Sequence, residues 1–241
     1  MSTDVSLRIV ALNIMGGGAP RAASIADALS ALDPHVVVLS EAYPTGRTQK
    51  VLEALSRTGL SNQATANSLA DSSPRAVAIA ARLPLDYVRQ PLDGSPNGQR
   101  VLEAMVGDVL VCGVYFPLGK PKVAFWRNEF LPYAEQSCSA NAVMIGDWNS
   151  GAHFVDEAGA TLDGAAEFAR MSTLGWQEAW RTTYPEGREY TWYSKPHDNG
   201  FRLDHAFLSP SLAPRLAAAR YDHTTRAAGA SDHSALVVEL R

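Results

Sequence analysis

Short apolar runs alternate with stretches of helical periodicity along the chain, and turn residues separate them. Apolar runs bounded by turn residues predict strands, and those before residue 150 are Leu7–Asn13, His35–Glu41, Ala76–Ala81, Val101–Val106, Val109–Tyr115 and Ala142–Gly146. Apolar residues spaced by three or four predict helices, and these are Arg21–Leu32, Gln49–Thr58, Pro121–Gln136 and Ala165–Leu174. The turn Gly107-Asp108 joins two of the strands into a predicted hairpin.

The C-terminal third of the chain has a different pattern. It predicts the strands Tyr190–Ser194, Arg202–Ser209 and Ala235–Leu240, with one short helix at Ser211–Ala218. Helices between strands in one region and strand pairs in another favour two sheets packed face to face. We therefore predict an α/β fold, a four-layer α/β sandwich of two packed mixed β-sheets flanked by helices. Periodicity alone leaves a doubly wound sheet open.

Length and charge narrow the class of protein. A chain of 241 residues fits one domain, predicted to span residues 1–241. The net charge of −4 disfavours a protein that coats nucleic acid by bulk electrostatics, although a local basic cleft stays open. The first four residues lack the basic and apolar parts of a secretory signal, and no apolar run has the length of a membrane span. We expect a cytoplasmic, monomeric protein without membrane insertion.

Polar residues collect where the predicted strands meet loops. Asn13 and Glu41 end strands, Asp147 and Asn149 follow one, and Asp204 lies at another strand end. Ligands of layered α/β proteins bind at such strand ends. A carboxylate at the end of a buried strand is costly unless it is paired or bound to metal. Magnesium prefers carboxylate, amide and water oxygens, so the pattern predicts a divalent-metal phosphoesterase site.

Two pairs of polar residues lie close together in the sequence. In extended backbone Asp147 and Asn149 would face the same side and Trp148 the other, which predicts a core position for the tryptophan. Asp232 and His233 are adjacent and would point apart in a strand. One of these two could therefore reach a metal ion and the other a phosphate.

The motifs taken together resemble the endonuclease/exonuclease/phosphatase superfamily, and most closely its exonuclease III and abasic-endonuclease branch. The strings that carry the resemblance occur in family order from about residue 7 to residue 241, and they are Val10-Ala11-Leu12-Asn13, Leu39-Ser40-Glu41, Gly113-Val114-Tyr115-Phe116-Pro117, Gly146-Asp147-Trp148-Asn149, Thr191-Trp192-Tyr193-Ser194, Arg202-Leu203-Asp204 and Ser231-Asp232-His233. The resemblance implies the superfamily's sandwich fold and metal-dependent hydrolysis of phosphoesters.

The resemblance also implies a metal site and a water-activating group. Glu41 would hold the cofactor, Mg²⁺ or Mn²⁺, with Asp232 and Asn13 nearby. Asp147 would position or deprotonate the attacking water, and Asn149 would donate a hydrogen bond to the phosphate. Which group is the general base stays open.

Further matched residues would act on the substrate. His233, oriented by Asp204, would stabilise charge on the phosphate, as in other carboxylate–histidine pairs. Tyr115 would donate to a phosphate oxygen or to the leaving group. The counterpart of Trp192 in this branch lies near the bound nucleotide, which makes Trp192 a substrate-binding candidate. Arg202 is a second such candidate, although it could instead pair with a nearby acid.

Three functions are consistent with the sequence. The leading prediction is a divalent-metal-dependent hydrolase of phosphodiesters, a DNA nuclease similar to exonuclease III. The second is a phosphomonoesterase or phosphodiesterase for a small phosphorylated metabolite or lipid headgroup. Leu118 favours the second, because branch members carry an amide side chain there, and so does the acidic composition. The third is a non-catalytic module that binds phosphate or nucleic acid, and the complete set of acids argues against it.

Overall fold

The computed structural model describes residues 7–44, 46–67, 75–159, 162–195 and 197–241. The first four residues, on which the prediction about secretion depends, lie outside these ranges. The described strands are β1 (Leu7–Asn13), β2 (Val36–Ala42), β3 (Asn62–Thr65), β4 (Ala76–Ala81), β5 (Asp86–Arg89), β6 (Val101–Val106), β7 (Val109–Tyr115), β8 (Ala142–Asp147), β9 (Gln177–Glu178), β10 (Trp192–Tyr193), β11 (Gly200–Phe201), β12 (Asp204–Leu208), β13 (Leu216–Asp222) and β14 (Ala235–Leu240).

The helices lie between these strands. They are α1 (Ala22–Ser30), α2 (Arg47–Arg57), α3 (Pro121–Phe125), α4 (Leu131–Ser137), α5 (Ala165–Thr173), α6 (Ala179–Thr183) and α7 (Thr224–Ala227). A π-helical turn, Trp126–Phe130, joins α3 to α4, so the predicted helix Pro121–Gln136 is one continuous helical segment. None of the helices formed by the described residues is long and apolar enough to cross a membrane.

Two six-stranded sheets form the centre of the fold. The first has the strand order β13-β14-β1-β2-β4-β3 and the second β5-β6-β7-β8-β12-β9. Both are mixed, because β1 and β2 run parallel, as do β7 and β8, whereas the other described pairings are antiparallel. The predicted four-layer α/β sandwich is confirmed, and a doubly wound sheet is excluded.

The two sheets bury their apolar faces against each other. Val38 and Ile79 of the first sheet and Val111 and Ile145 of the second belong to one buried cluster. Gly113 lies where the sheets approach closely, since a Cβ atom there would come within 2.6–2.8 Å of valine side chains on the first sheet. Helices α1 and α2 cover the outer face of the first sheet, and the α3–α4 segment and α5 cover that of the second.

One predicted helix is wrong. Ser211–Ala218 forms a single 3₁₀ turn, Ala213–Arg215, and then the chain enters β13 at Leu216. Its alanines favour a helix, but pairing with β14 at the edge of the first sheet overrides that local preference. The short strands β3, β5 and β9 and the short helices α6 and α7 were not predicted, because brief segments carry too few residues to show a period.

Candidate active site

The predicted polar residues converge because of the strand directions. In the first sheet β1 and β2 end at the same edge, where antiparallel β4 and β14 begin. In the second sheet Asp147, at the end of β8, is in register with Tyr115 of β7 and with Asp204 at the start of β12. These two edges face each other across a cavity of about 490 Å³. Its lining residues are Asn13, Met15, Glu41, Arg75, Leu118, Lys122, Asp147, Asn149, Leu162, Asp163, Trp192, Phe201, Leu203, Asp232 and His233.

Asp147 is held rigidly at the base of this cavity. Its carboxylate accepts the Asn13 Nδ2–H group at 2.9 Å and the Asn149 backbone N–H at 2.9 Å. Burial raises the pKa of Asp147 to about 7, against the lowering effect of the nearby His233 charge. A carboxyl group with a pKa near neutrality is suited to accept a proton from water.

Ser40 joins the two sheets directly beneath Asp147. Its hydroxyl donates to the Val114 carbonyl at 3.1 Å and accepts the Asp147 backbone N–H at 3.2 Å. Because Ser40 lies on β2 and the other two residues lie on β7 and β8, this fully buried hydroxyl connects the two sheets at the edge that borders the cavity.

Asn149 does not have the extended backbone that the sequence suggested. Its φ of 46° places it in the left-handed region, and its side chain folds back towards Asp147. The amide nitrogen Nδ2 donates to the Phe116 carbonyl at 2.9 Å and to Asp147 Oδ2 at 3.3 Å. In this structure Asn149 therefore orients the carboxylate, and its donation to phosphate stays a prediction. Trp148 lies in the core, as predicted.

His233 and Asp204 form the predicted pair. His233 Nδ1 lies 2.9 Å from Asp204 Oδ2, and both side chains are buried. Burial alone would lower the pKa of His233, but the carboxylates of Asp204, Asp147 and Asp232, with Asp204 contributing most, together outweigh it and raise the pKa to about 9. At neutral pH His233 is therefore an imidazolium, which can neutralise charge on a phosphate.

Glu41 faces the cavity from the first sheet. Its Oε2 accepts the Gly16 N–H at 2.8 Å, and its Oε1 accepts from Arg75 Nη1 at 3.0 Å and from the Tyr115 hydroxyl at 3.3 Å. Burial raises the pKa of Tyr115 far above its usual range, so the phenol stays protonated. In this structure that phenol donates to Glu41, and its contact with the substrate stays a prediction.

An apolar wall borders the polar groups. Leu162, Phe201 and Leu203 are packed together, and Trp192 covers them. The Trp192 indole N–H donates to Asp232 Oδ2 at 3.1 Å, which connects this wall to the predicted metal-binding acid. The cavity thus has charged groups on one side and an apolar surface on the other.

Arg202 does not line the cavity, and its predicted substrate-binding role is corrected. The guanidinium is buried and pairs with Asp156 at 2.8 Å and with Glu178 at 2.7 Å, over the ring of Trp180. Burial would raise the pKa of Glu178, but the Arg202 charge, together with His205 and the Arg181 backbone N–H, outweighs it and lowers the pKa to about 2. The alternative reading, that Arg202 pairs with acids, is the one the structure supports.

Two cations on the cavity wall were missed from the sequence. Arg75 directly precedes β4, whose first residue pairs with the last residue of β2, so the strand-end rule could have identified it. Lys122 is buried on α3, and its ammonium group donates to the Asn149 carbonyl. Burial lowers the pKa of Lys122. A lysine on the apolar face of a helix was the only signal for it.

The carboxylate oxygens on the cavity wall are suitable ligands for a hard divalent cation. Within the described ranges no three His, Cys, Asp or Glu side chains converge into a closed metal cage. Mg²⁺ keeps several waters and needs only one or two carboxylates, and Glu41 and Asp232 on the cavity wall meet that requirement. Asn13 lies beside them, although its amide already contacts Asp147 and the Met15 N–H.

These groups together can promote hydrolysis of a phosphoester. A divalent cation, when bound, would neutralise developing negative charge on the phosphate. Asp147 can accept a proton from the attacking water, and the His233 imidazolium can stabilise charge on a phosphate oxygen. Phosphoryl transfer depends mainly on positioning and electrostatics, and the rigid hydrogen bonds around Asp147 supply the positioning.

The fold and the site together indicate a phosphoesterase. The site combines an acid, an Asp–His pair and oxygen atoms that can bind a metal ion, all at one edge of a two-sheet α/β sandwich. Residues 10–233 match the family model described as Endonuclease/Exonuclease/phosphatase, and the chain belongs to this family. Its members hydrolyse phosphoester bonds and generally depend on a divalent metal, so the predicted class of enzyme is confirmed.

Several solved structures have the same fold as this chain. An AP endonuclease from Archaeoglobus fulgidus has a TM-score of 0.82 at 22% identity, covering 97% of this chain and 99% of its own. The 3′ phosphatase NExo from Neisseria, bound to a product DNA hairpin, has a TM-score of 0.81 at 23% identity and 98% and 100% coverage. The 3′-5′ exonuclease NExo from Neisseria meningitidis gives 0.75 at 23% identity, with coverage of 97% and 99%. No curated protein sequence matches this chain significantly.

Proposed function

We propose that this protein is a DNA phosphoesterase that uses Mg²⁺ or Mn²⁺ and acts at a strand end or at an abasic residue. The observation that carries the proposal is the cavity of about 490 Å³, in which Asp147 and His233 face an apolar wall. This volume lies in the range of small-ligand sites, about 300–1,000 Å³, and suits one nucleotide-sized group rather than a duplex segment.

The proposed roles follow from positions on the cavity wall. Glu41 and Asp232 hold the metal ion, with Asn13 beside them. Asp147 acts on the attacking water, and Trp192 packs against the sugar or base, a contact worth about 1–3 kcal/mol when a base is stacked. The similarity in fold to an AP endonuclease and to a 3′ phosphatase bound to DNA supports this substrate class.

The test is cleavage of labelled duplex oligonucleotides that carry a recessed 3′-phosphate, an abasic analogue or an undamaged 3′ end. We expect hydrolysis with Mg²⁺ or Mn²⁺ and none with chelator. Asp147→Asn keeps the shape of the side chain but removes the base, so turnover should fall by at least about 100-fold. Asp86→Asn, on an exposed strand of the second sheet, is the matched control and should be fully active.

The experiment also separates the other two functions. Leu118 is 60% exposed at the cavity rim and offers no hydrogen bond to a DNA phosphate, which favours a small phosphoester as the second candidate. Metal-dependent turnover of phosphorylated sugars or headgroups, with DNA untouched, would replace the first proposal by the second. Metal and DNA binding with no product from any substrate would indicate a non-catalytic module.

A further inference from the structure

Arg75 occupies the oxygen of Glu41 that a divalent cation would need. Both carboxylate oxygens of Glu41 are engaged, Oε2 by the Gly16 N–H and Oε1 by Arg75 and the Tyr115 hydroxyl. Glu41 is the acid on which metal binding chiefly depends in the proposed function. A guanidinium and a metal ion on the same oxygen would repel each other as like charges, which disfavours sharing of Oε1. Binding of the cation is therefore expected to displace Arg75.

The two partners differ in their freedom to move. Glu41 has a φ of 59° and lies at a bulge where β2 and β4 shift register, so its backbone is held in a conformation that side chains rarely adopt. Its side chain is 13% exposed, whereas that of Arg75 is 41% exposed. Exposed side chains change rotamer within nanoseconds. Arg75 is therefore the partner that can exchange.

The charges on the wall indicate where Arg75 would go. The cavity carries an excess of acids, so a phosphate entering it needs cationic partners. Lys122 is buried and donates to the Asn149 carbonyl, and His233 is buried with its Nδ1 paired to Asp204, so neither cation is free to change position. Among the described lining cations, Arg75 is the exposed one, and a guanidinium can bind a phosphate through two N–H groups at once.

We propose that Arg75 is an exchangeable counter-charge. It pairs with Glu41 in the metal-free protein, yields Glu41 to the arriving divalent cation, and then pairs with a phosphate oxygen of the substrate. The inference rests on the proposed function only in placing a metal ion and a phosphoester in this cavity. Its consequence is that metal and phosphate bind with positive coupling, each tightening the other.

The test is calorimetric titration of Mn²⁺ into the full chain, with and without deoxycytidine monophosphate. Without nucleotide, Arg75→Gln should bind Mn²⁺ about fivefold more tightly, the factor that corresponds to loss of a partly exposed ion pair of about 1 kcal/mol. The factor by which the nucleotide tightens Mn²⁺ binding should fall in this variant, because the released guanidinium is missing.

The matched control is Arg82→Gln, which removes the same charge just beyond the opposite end of β4, where Arg82 pairs with Asp33. It should leave both quantities unchanged. Equal Mn²⁺ affinity in wild type and Arg75→Gln, or an undiminished coupling factor, would overturn the exchange. If the coupling behaves as expected but no phosphoester is hydrolysed, only the proposed function falls. No Mn²⁺ binding by wild type would refute both.

Discussion

Burial determines which single residues can carry a proton in the cavity. Asp147 and His233 are both buried, yet burial raises the pKa of the acid while Asp204 reverses its effect on the histidine. The result is an acid with a pKa near 7 opposite an imidazolium with a pKa near 9. This combination places a proton acceptor and a positive charge in one site at neutral pH.

Replacing Asp204 tests the origin of the histidine charge. Asp204→Asn removes the carboxylate that raises the pKa of His233 most, while burial still lowers it and Asp147 and Asp232 raise it less, so the pKa should fall clearly below about 9. The histidine ring protons, followed by NMR in the metal-free protein, report this titration. Asp108→Asn, an exposed control, should leave it unchanged. A His233 midpoint that stays near pH 9 in Asp204→Asn would contradict the assignment.

The same shift has a thermodynamic signature in the wild type. Because the folded-state pKa of His233 is raised, its stabilising contribution is complete below pH 6.5 and is lost as the pH rises through about 9. The free energy of unfolding of the metal-free wild type should therefore decline between these values. Chemical denaturation series should show a smaller decline for Asp204→Asn, and equal slopes would argue against a charged His233.

For single residues, the sequence identified candidate site residues better than it predicted their hydrogen-bond and ion-pair partners. Glu41, Asp147 and His233 were identifiable because each lies at the end of an apolar run. Arg202 was placed wrongly because its partner Asp156 lies 46 residues away, and no local pattern encodes such a contact. For the same reason the hydrogen bond from Asn13 to Asp147, 134 residues apart, appears only in the folded chain.

Elements with a clear period were predicted well, and those defined by their neighbours were not. β1, β4, β6 and β7 have the predicted bounds, because continuous apolar runs define them locally. The start of β13, Leu216–Ala218, was predicted to be helical, since its alanines satisfy a helix and only the pairing with β14 makes it a strand. This error did not affect the prediction of the site, because β13 supplies none of the residues that line the cavity.

Gly146 lies next to Asp147 in β8, where β7 and β8 approach each other closely. Its φ is 150°, and a Cβ atom there would lie 2.1 Å from the Val114 carbonyl oxygen on β7. Gly146→Ala should force the two strands apart, lower the free energy of unfolding by about 1–3 kcal/mol and reduce turnover. Gly107→Ala, which also has a positive φ (61°) but no atom within 4 Å of a Cβ, is the control for backbone strain without a clash. Wild-type stability and turnover in Gly146→Ala would show that the strands tolerate the separation.

Net charge bears on substrate binding at the scale of the whole molecule. With a net charge of −4, binding to DNA should depend on the few cations in the cavity rather than on a broad basic surface. The logarithm of the DNA affinity should then fall with the logarithm of salt concentration with a slope of only about −2 to −3, at about 0.9 per neutralised phosphate. Binding isotherms at several salt concentrations measure it, and a slope near −6 would reveal a wider basic footprint.

Some whole-molecule properties remain predictions. The single domain of residues 1–241, the monomeric state and the cytoplasmic location were inferred from length, composition and the N-terminal residues. The arrangement of layers was predictable because it depends on the order of strands and helices, which local patterns encode.

The Ser40 hydroxyl connects the two sheets at the point where the cavity depends on both of them. Asn13 and Glu41 belong to one sheet, which His233 precedes at the start of β14, and Asp147, Tyr115 and Asp204 belong to the other. Neither sheet by itself carries all the polar groups that line the cavity. Opening the interface between the sheets would therefore disperse the lining of the cavity, even while each sheet kept its own ladder of hydrogen bonds.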